Sequence, residues 1–321
     1  TNPSTANIKQ GLFSAVLNEG DFRGRVDYDL AVLEVDEGHG SALLGDLAPR
    51  LVVLTNVLSD QLDRFVDPEL VIEKLERMAR GAGQAVINAH DPNLRAIQLD
   101  NLAGSVTLSP ELRSSSDAPK YALRFDNPAE IASSFEITGD NGLGLRASNN
   151  VFRLQDSNIP HALNSALALV AATNLIELDS KLAQDVIDNH PAVFARNEIT
   201  DIDGREVNLR LVQNPTSFQL NIDELGDRNR PLMLMAGSDI HDPSWLWTVD
   251  FSDLQAVDIV SGRNAYDLAL RLSYAGVSIG KVLPDIAEAR SAFSDLDGEA
   301  PTILFSADAM RRFRRLTGLA K

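Results

Sequence analysis

No cysteine occurs anywhere in the 321 residues. Disulfides, thiolate zinc sites and a cysteine nucleophile are therefore excluded, and any thiol step must be supplied by a partner. Basic side chains are scarce as well: 29 Lys and Arg stand against 46 Asp and Glu, a formal net charge of −17. Such a surface repels phosphate backbones and anionic lipids, so nucleic acid is not an expected partner. No stretch reaches the ~18 to 20 consecutive apolar residues of a membrane span, and the opening TNPSTANIKQ lacks the basic and apolar regions of a signal peptide. The expectation is a cytoplasmic protein with no transmembrane segment. Tryptophan occurs only twice, at Trp245 and Trp247.

What remains is an ordinary globular composition, 44% hydrophobic and 23% charged, on a chain long enough for about two domains. The stretch Leu51 to Phe65, LVVLTNVLSDQLDRF, organises the first half. Leu51 to Thr55 is short, aliphatic and β-branched, which reads as a buried parallel strand. Asn56, Asp60, Gln61, Asp63 and Arg64 follow at once, so polar groups gather past a strand's C-terminal end, where open α/β sheets bind ligands. Leu30 to Val35 reads as a second strand running into Glu34, Asp36 and Glu37. Any one of these carboxylates alone could be a solvated loop residue, but two such strand ends together suit a hydrated Mg²⁺ and a nucleotide phosphate.

In chain order, helices are expected at Ile8 to Leu17 and Gly40 to Leu47, and from Pro68 to about Arg80 with Asp67 as its cap. A strand follows at Gln84 to Ala89. Short β pieces fill Leu102 to Val151, interrupted by an exposed serine-rich loop, and helices run through PHALNSALALVAATNLI and Ser180 to Asn189. A hairpin over Ile199 to Val212 turns at Asp203 and Gly204. The second half repeats the strand and helix rhythm: helix Phe218 to Leu225, strand Pro231 to Gly237, strand Ala256 to Ser261, helix Ala265 to Ala275, strand Pro301 to Phe305 and a basic helix. Asp239 and Asp242 follow the strand ending in LMLMAG, close to Ser244 and the tryptophans, whose plain role would be to anchor a loop on the core.

These pieces together resemble the Mur ligase superfamily and, within it, the MurT-like subunits of lipid II isoglutaminyl synthase. The resemblance runs through TNPSTANIKQG, LAVLEVDE, LVVLTNVLSDQLDRF, IPHALNSALALVAA, FARNE, LVQNPTSF, DPSWLWTVDF and SGRNAYDLALRLSYAGV. It implies an α/β fold in two parts. A Mur-ligase central, ATPase-type domain over residues 1–195, a doubly wound sheet incomplete at its N-terminus, precedes a C-terminal Rossmann-like α/β domain over residues 196–321. It also implies a synthetase that uses ATP and Mg²⁺ to phosphorylate the α-carboxylate of D-glutamate in the lipid II stem peptide. Ammonia from a GatD-like glutaminase of the class I amidotransferase type then displaces the phosphate. Carried over residue by residue, Glu34 would hold Mg²⁺, Asn164 would lie near the adenine, Arg196 would reach the nucleotide phosphates, and Asn56 belongs to the same nucleotide site. For Asn164 a helix-packing amide, and for Arg196 a surface salt bridge, are the alternatives. Asp242 would complete the partner's Cys-His pair, orienting and charge-stabilising a histidine that works on a thiol.

Three departures from the family pattern stand out. No G-x-x-x-x-G-K-[ST] loop occurs in residues 1–321, so the family's GTNGKT loop would lie upstream of Thr1, or ATP chemistry has been lost. Without that cradle, residues 1–321 are expected to bind ATP weakly. The family's four-cysteine zinc ribbon has no counterpart at about Ser105 to Phe125, where a short loop is expected, so no zinc is expected. Thr248 stands where the family carries an aspartate. A non-catalytic glutaminase-binding partner and another Mur-type ATP-dependent amino-acid ligase are the competing readings.

Overall fold

A computed structural model describes residues 1–2, 7–23, 25–57, 68–115, 135–139, 142–147, 150–154, 159–189, 198–225, 230–240 and 243–319. These form two compact units, one up to residue 189 and one from residue 198. The expected boundary near Arg196 falls outside the described residues.

The first unit contains helices α1 (Lys9–Glu19), α2 (Glu37–Leu47), α3 (Pro68–Gly81), α4 (Pro92–Arg95), α5 (Pro110–Ser115), α6 (Ile159–Leu175) and α7 (Ser180–Asn189). Its strands are β1 (Leu51–Leu54), β2 (Gln84–Asn88), β3 (Leu102–Leu108), β4 (Phe135–Thr138), β5 (Gly144–Ala147) and β6 (Asn150–Arg153). They lie in the order β1-β2-β3-β4-β5-β6, parallel through β4 and antiparallel beyond. Because successive strand residues point to opposite faces, Ala85 and Ile87 join Leu54, Ile72 and Leu94 on the α3 side. Val86 joins Val106, Leu108 and Ile137 under Ala162, Ala166, Leu167 and Val170 of α6 on the other. The missing side chain of Gly104 on β3 lets α6 lie close to the sheet: a Cβ there would meet Val170 Cγ1 at 2.6 Å.

The structure corrects three expectations. Leu30 to Val35 is not a strand; it has no ladder partner among the described residues, and Leu30 and Val32 are 45% and 63% exposed. Strand composition alone does not form a strand when no neighbour takes up the backbone groups. β1 is parallel as expected, yet it is the edge of the described sheet, and Leu51, Val52 and Val53 are only half-buried. Ser105 to Leu108, placed in a loop by the resemblance, forms the buried end of β3. The rest of that expected loop, beyond Ser115, lies outside the described residues.

The second unit comprises β7 (Glu198–Ile202), β8 (Arg205–Leu211), α8 (Pro215–Asp223), β9 (Leu232–Met235), a 3-10 helix (Pro243–Thr248), β10 (Ala256–Ser261), α9 (Ala265–Tyr274), β11 (Ser278–Leu283), α10 (Ile286–Ser294), β12 (Thr302–Phe305) and α11 (Ala307–Leu316). The sheet order is β11-β10-β9-β12-β8-β7, parallel except for β7, which pairs antiparallel with β8. The hairpin turns as expected, with positive φ at Asp203 and Gly204. Leu232 and Leu234 face the layer containing α8, α9 and the 3-10 helix; Met233 and Met235 face α10 and α11. From β9 the chain winds outward through β10 and β11, then returns to place β12 between β9 and β8. The direction of winding thus reverses between β9 and β12, and the crevice beyond the C-terminal ends of those strands is the favoured ligand site of such a sheet.

Candidate functional site

In the first unit, the chain leaving β1 is held on both sides of Asn56. Asn88 Nδ2 donates to the Thr55 carbonyl at 2.8 Å, and the Val57 amide donates to Asp91 Oδ2 at 2.7 Å. The other oxygen of Asp91 caps α4, accepting from the amides of Asn93 at 2.8 Å and Leu94 at 3.2 Å. Asp91 is 2% exposed, and burial pushes its carboxyl above the ordinary aspartate value against the opposing pull of those three amides and of Arg95. Asn56 is exposed and makes no hydrogen bond among the described residues. Asp60, Gln61, Asp63 and Arg64, expected as its companions, lie outside the described residues.

Glu34 is presented differently from the strand end expected for it. The buried Asn2 pairs with its backbone in both directions, Nδ2 donating to the Glu34 carbonyl at 2.9 Å and Oδ1 accepting from the Glu34 amide at 2.9 Å. The Glu34 side chain lies toward solvent, with Asn7 Nδ2 at 3.5 Å from Oε1. Asp36, expected as a second crevice carboxylate, is instead buried as the cap of α2, accepting from the amides of Gly38 at 2.9 Å and His39 at 3.2 Å. Its short side chain and position before a helix are the sequence signal for that role. Glu37 is the first residue of the same helix. Asn164 lies half-buried on α6 with no side-chain hydrogen bond among the described residues. Arg196 lies outside them.

In the second unit, the loop leaving β9 at the switch point is bound tightly to the start of α11. The Gly237 amide donates to Ser306 Oγ at 2.8 Å, and that hydroxyl donates to Asp239 Oδ1 at 2.6 Å. Ser238 donates to Asp308 Oδ2 through Oγ at 2.6 Å and through its amide at 3.2 Å. The Ser238 hydroxyl, with smaller help from Arg312, holds the Asp308 carboxyl below its ordinary value. Asn264 donates through Nδ2 to the carbonyls of Gly237 at 3.0 Å and Ile240 at 2.8 Å. Of the two aspartates expected after this strand, Asp239 is therefore engaged in holding the loop, and Asp242 lies outside the described residues. Ser306 and Asp308 escape a reading of the sequence; the available signal is a Ser-x-Asp pattern opening a helix directly after a buried strand.

The tryptophans divide their roles. Trp245 packs edge-on against Phe218 at 6.2 Å over the core, so it anchors the loop, the plain role expected for it. Trp247 is 48% exposed, flanked by Tyr274 at 5.3 Å and by the Arg271 guanidinium at 5.6 Å from its ring centre. Thr248 Oγ1 donates to the Trp245 carbonyl at 2.7 Å and closes the 3-10 helix, a local use for a hydroxyl where the family pattern has a carboxylate.

Residues 211–306 match the family model described as MurT ligase C-terminal. The lipid II isoglutaminyl synthase (glutamine-hydrolyzing) subunit MurT of Streptococcus pneumoniae is 24% identical, in an alignment covering 98% of this chain and 80% of that protein. Among solved structures, MurF from Acinetobacter baumannii superposes with a TM-score of 0.70 at 13% identity, over 99% of this chain and 69% of the other. MurF from Thermotoga maritima in complex with ADP gives a TM-score of 0.66 at 16% identity, over 99% and 72%. The structural likeness establishes the fold, which is that of the solved Mur ligases, and in sequence the chain is similar to the MurT subunit along nearly its whole length, with residues 211–306 matching the MurT C-terminal model.

Proposed function

We propose that this protein is the synthetase subunit of a glutamine-dependent amidotransferase. It would amidate the α-carboxylate of D-glutamate in the lipid II stem peptide through an acyl phosphate, drawing ammonia from a GatD-like glutaminase. The supporting observation is the carboxylate loop at the switch point of the second unit. Two hydroxyls, the carboxylate of Asp308 and the half-buried amide of Asn264 fix residues 237–240, and Asp242 follows two positions later in a chain that has no cysteine of its own to serve.

The nucleotide side of the reading draws on the first unit. Among the described residues no group of three or more His, Asp or Glu is arranged to hold a metal by itself. A single carboxylate on a pinned backbone, Glu34, fits Mg²⁺, which commonly keeps its waters and takes one carboxylate together with substrate phosphates. Asn56 and Asn164 have side-chain amides uncommitted among the described residues and suited to a nucleotide, and Arg196 is assigned to the phosphates by the resemblance alone. Bound ATP would supply the phosphoryl group that activates the carboxylate; Glu34, Asn56, Asn164 and Arg196 bind and orient it. The split into domains at residues 195 and 196 belongs to the same proposal.

The test is Asp242→Asn in the complex formed with the glutaminase. Size is kept and charge is lost, so the complex should still assemble while glutamine hydrolysis falls by roughly 10²-fold or more. ATP-dependent synthesis from free ammonium should be spared. Normal glutamine hydrolysis by the variant, or an equal loss of the ammonium-driven reaction, would remove Asp242 from this role.

A further inference from the structure

We infer that Asn88 and Asp91 are positioning residues for nucleotide binding, acting through the backbone of Thr55 to Val57 to hold Asn56 ready for Mg²⁺-nucleotide. The inference rests on the reading of Asn56 as a nucleotide-binding residue. It starts from an asymmetry in how Asp91 is used. Capping α4 needs only Oδ1, which already accepts from two amides, yet Oδ2 is spent on the amide of Val57, 34 residues earlier in the chain. Asn88 shows the same division: Oδ1 accepts from the His90 amide at 2.9 Å within its own turn, while Nδ2 reaches back 33 residues to the Thr55 carbonyl.

Both side chains are nearly inaccessible, at 5% exposure for Asn88 and 2% for Asp91. A charge buried to that degree is costly unless its hydrogen bonds are made, and a plain helix cap does not require the burial. What the two long-range bonds share is their target. They take the carbonyl before Asn56 and the amide after it, and leave Asn56 itself exposed with no hydrogen bond among the described residues. β1 is the edge of the described sheet, and among the described residues no ladder on its outer side fixes the chain where it leaves the strand. The β2–α4 turn supplies that constraint. A loop end fixed before the ligand arrives loses less conformational freedom on binding, and one residue's worth of backbone ordering corresponds to about a tenfold change in affinity.

Two isosteric substitutions remove the clamp and keep the local turn. Asp91→Asn retains Oδ1 for the α4 amides and can turn an NH₂ toward the Val57 amide, donor against donor. Asn88→Asp retains the acceptor for His90 and sets an oxygen against the Thr55 carbonyl. In the protein expressed from its full gene, titrated with Mg²⁺-ADP by calorimetry, each is expected to raise Kd about tenfold. In an Asn56→Ala background each should change Kd by less than about twofold, because a residue acting through Asn56 has nothing left to position. Effects that multiply in full with Asn56→Ala, or no effect beside an undiminished Asn56→Ala effect, would overturn the positioning role and leave the nucleotide reading standing. An Asn56→Ala variant that binds Mg²⁺-ADP normally would overturn the reading of Asn56 itself and the inference with it.

A measurement on the unsubstituted protein guards against variants that fail to fold. In native-state hydrogen exchange without ligand, the Val57 amide should be protected at least roughly 10²-fold more than the Asn56 amide. Equal exchange at the two positions would show that the clamp does not persist in solution, and the inference would fall.

Discussion

Gly262→Ala offers a sharp test of how the second unit is built. Gly262 lies between β10 and α9 with φ at +92°, and a Cβ there would sit 2.3 Å from the Ala236 carbonyl oxygen and 2.8 Å from its carbon. Those atoms are backbone and cannot rotate away. Positive φ alone costs an alanine about 1 to 2 kcal/mol. Relieving the contact must also separate Ala236 from the turn, which strains the Asn264 amide bond to the Ala236 carbonyl at 2.9 Å and the Asn264 Nδ2 bonds to Gly237 and Ile240. Two or three such bonds at about 1 kcal/mol each bring the total loss to about 3 to 5 kcal/mol. For a unit of this size that is a fall in Tm of roughly 10 to 20 °C, readable by calorimetry or by urea unfolding. Gly276→Ala is the control: φ is +81° there too, but nothing lies within 4 Å of the added carbon, so only the conformational cost of about 1 to 2 kcal/mol should appear. If Gly262→Ala cost no more than Gly276→Ala, the close approach of this turn to the end of β9 would not be what holds residues 236–240.

The remaining expectations can be checked separately. Asp308 has a lowered carboxyl value, so its stabilising contribution is present above the ordinary aspartate range and is lost as pH falls through the folded value beneath it. In urea unfolding against pH, Asp308→Asn should therefore be less stable than the parent at pH 7, and the gap should close below about pH 4; a gap independent of pH would refute the assignment. Arg210 is buried beside Glu224, its Nε without a partner among the described residues, and burial lowers its value. Arg210→Met should change stability by less than about 1 kcal/mol, whereas Glu224→Ala, which leaves the guanidinium uncompensated, should cost at least that much more by the same assay. Limited proteolysis is expected to cut within residues 190–197, and a first cut inside residues 256–276 would count against the proposed division. Elemental analysis should find far less than one zinc per chain, since no thiolate is available to hold it.

Much of this architecture is legible where one residue type forces one conformation. The Asp203–Gly204 turn, the alanine-rich α6 and the Pro68 helix start all announce themselves locally. The misses are of another kind. β11 and α10 escape a reading of the sequence because β11 is an edge strand with an exposed and half-buried pattern, so SIGKVL shows no hydrophobic block. Leu30 to Val35 misleads for the converse reason: strand-like composition with no ladder partner among the described residues. At the candidate site, the residue types are visible and their commitments are not. Whether Asp36 caps a helix, or Asp239 answers a serine 67 residues later, depends on chain segments that only folding brings together.

The placement of β12 has a consequence for synthesis of the chain. It is the last of the described strands to be made, yet it lies between β9 and β8 near the middle of its sheet, and α11 behind it carries Asp308. Until residues 302–308 have emerged, β9 and β8 have no shared neighbour and the loop after β9 has neither Ser306 nor Asp308 to receive it. A nascent chain halted shortly before β12 would display two unpaired apolar strand edges, a surface that chaperones and proteases recognise. The loop proposed to serve the glutaminase is thus assembled only on chains translated past it, which would keep prematurely terminated products from competing for the partner.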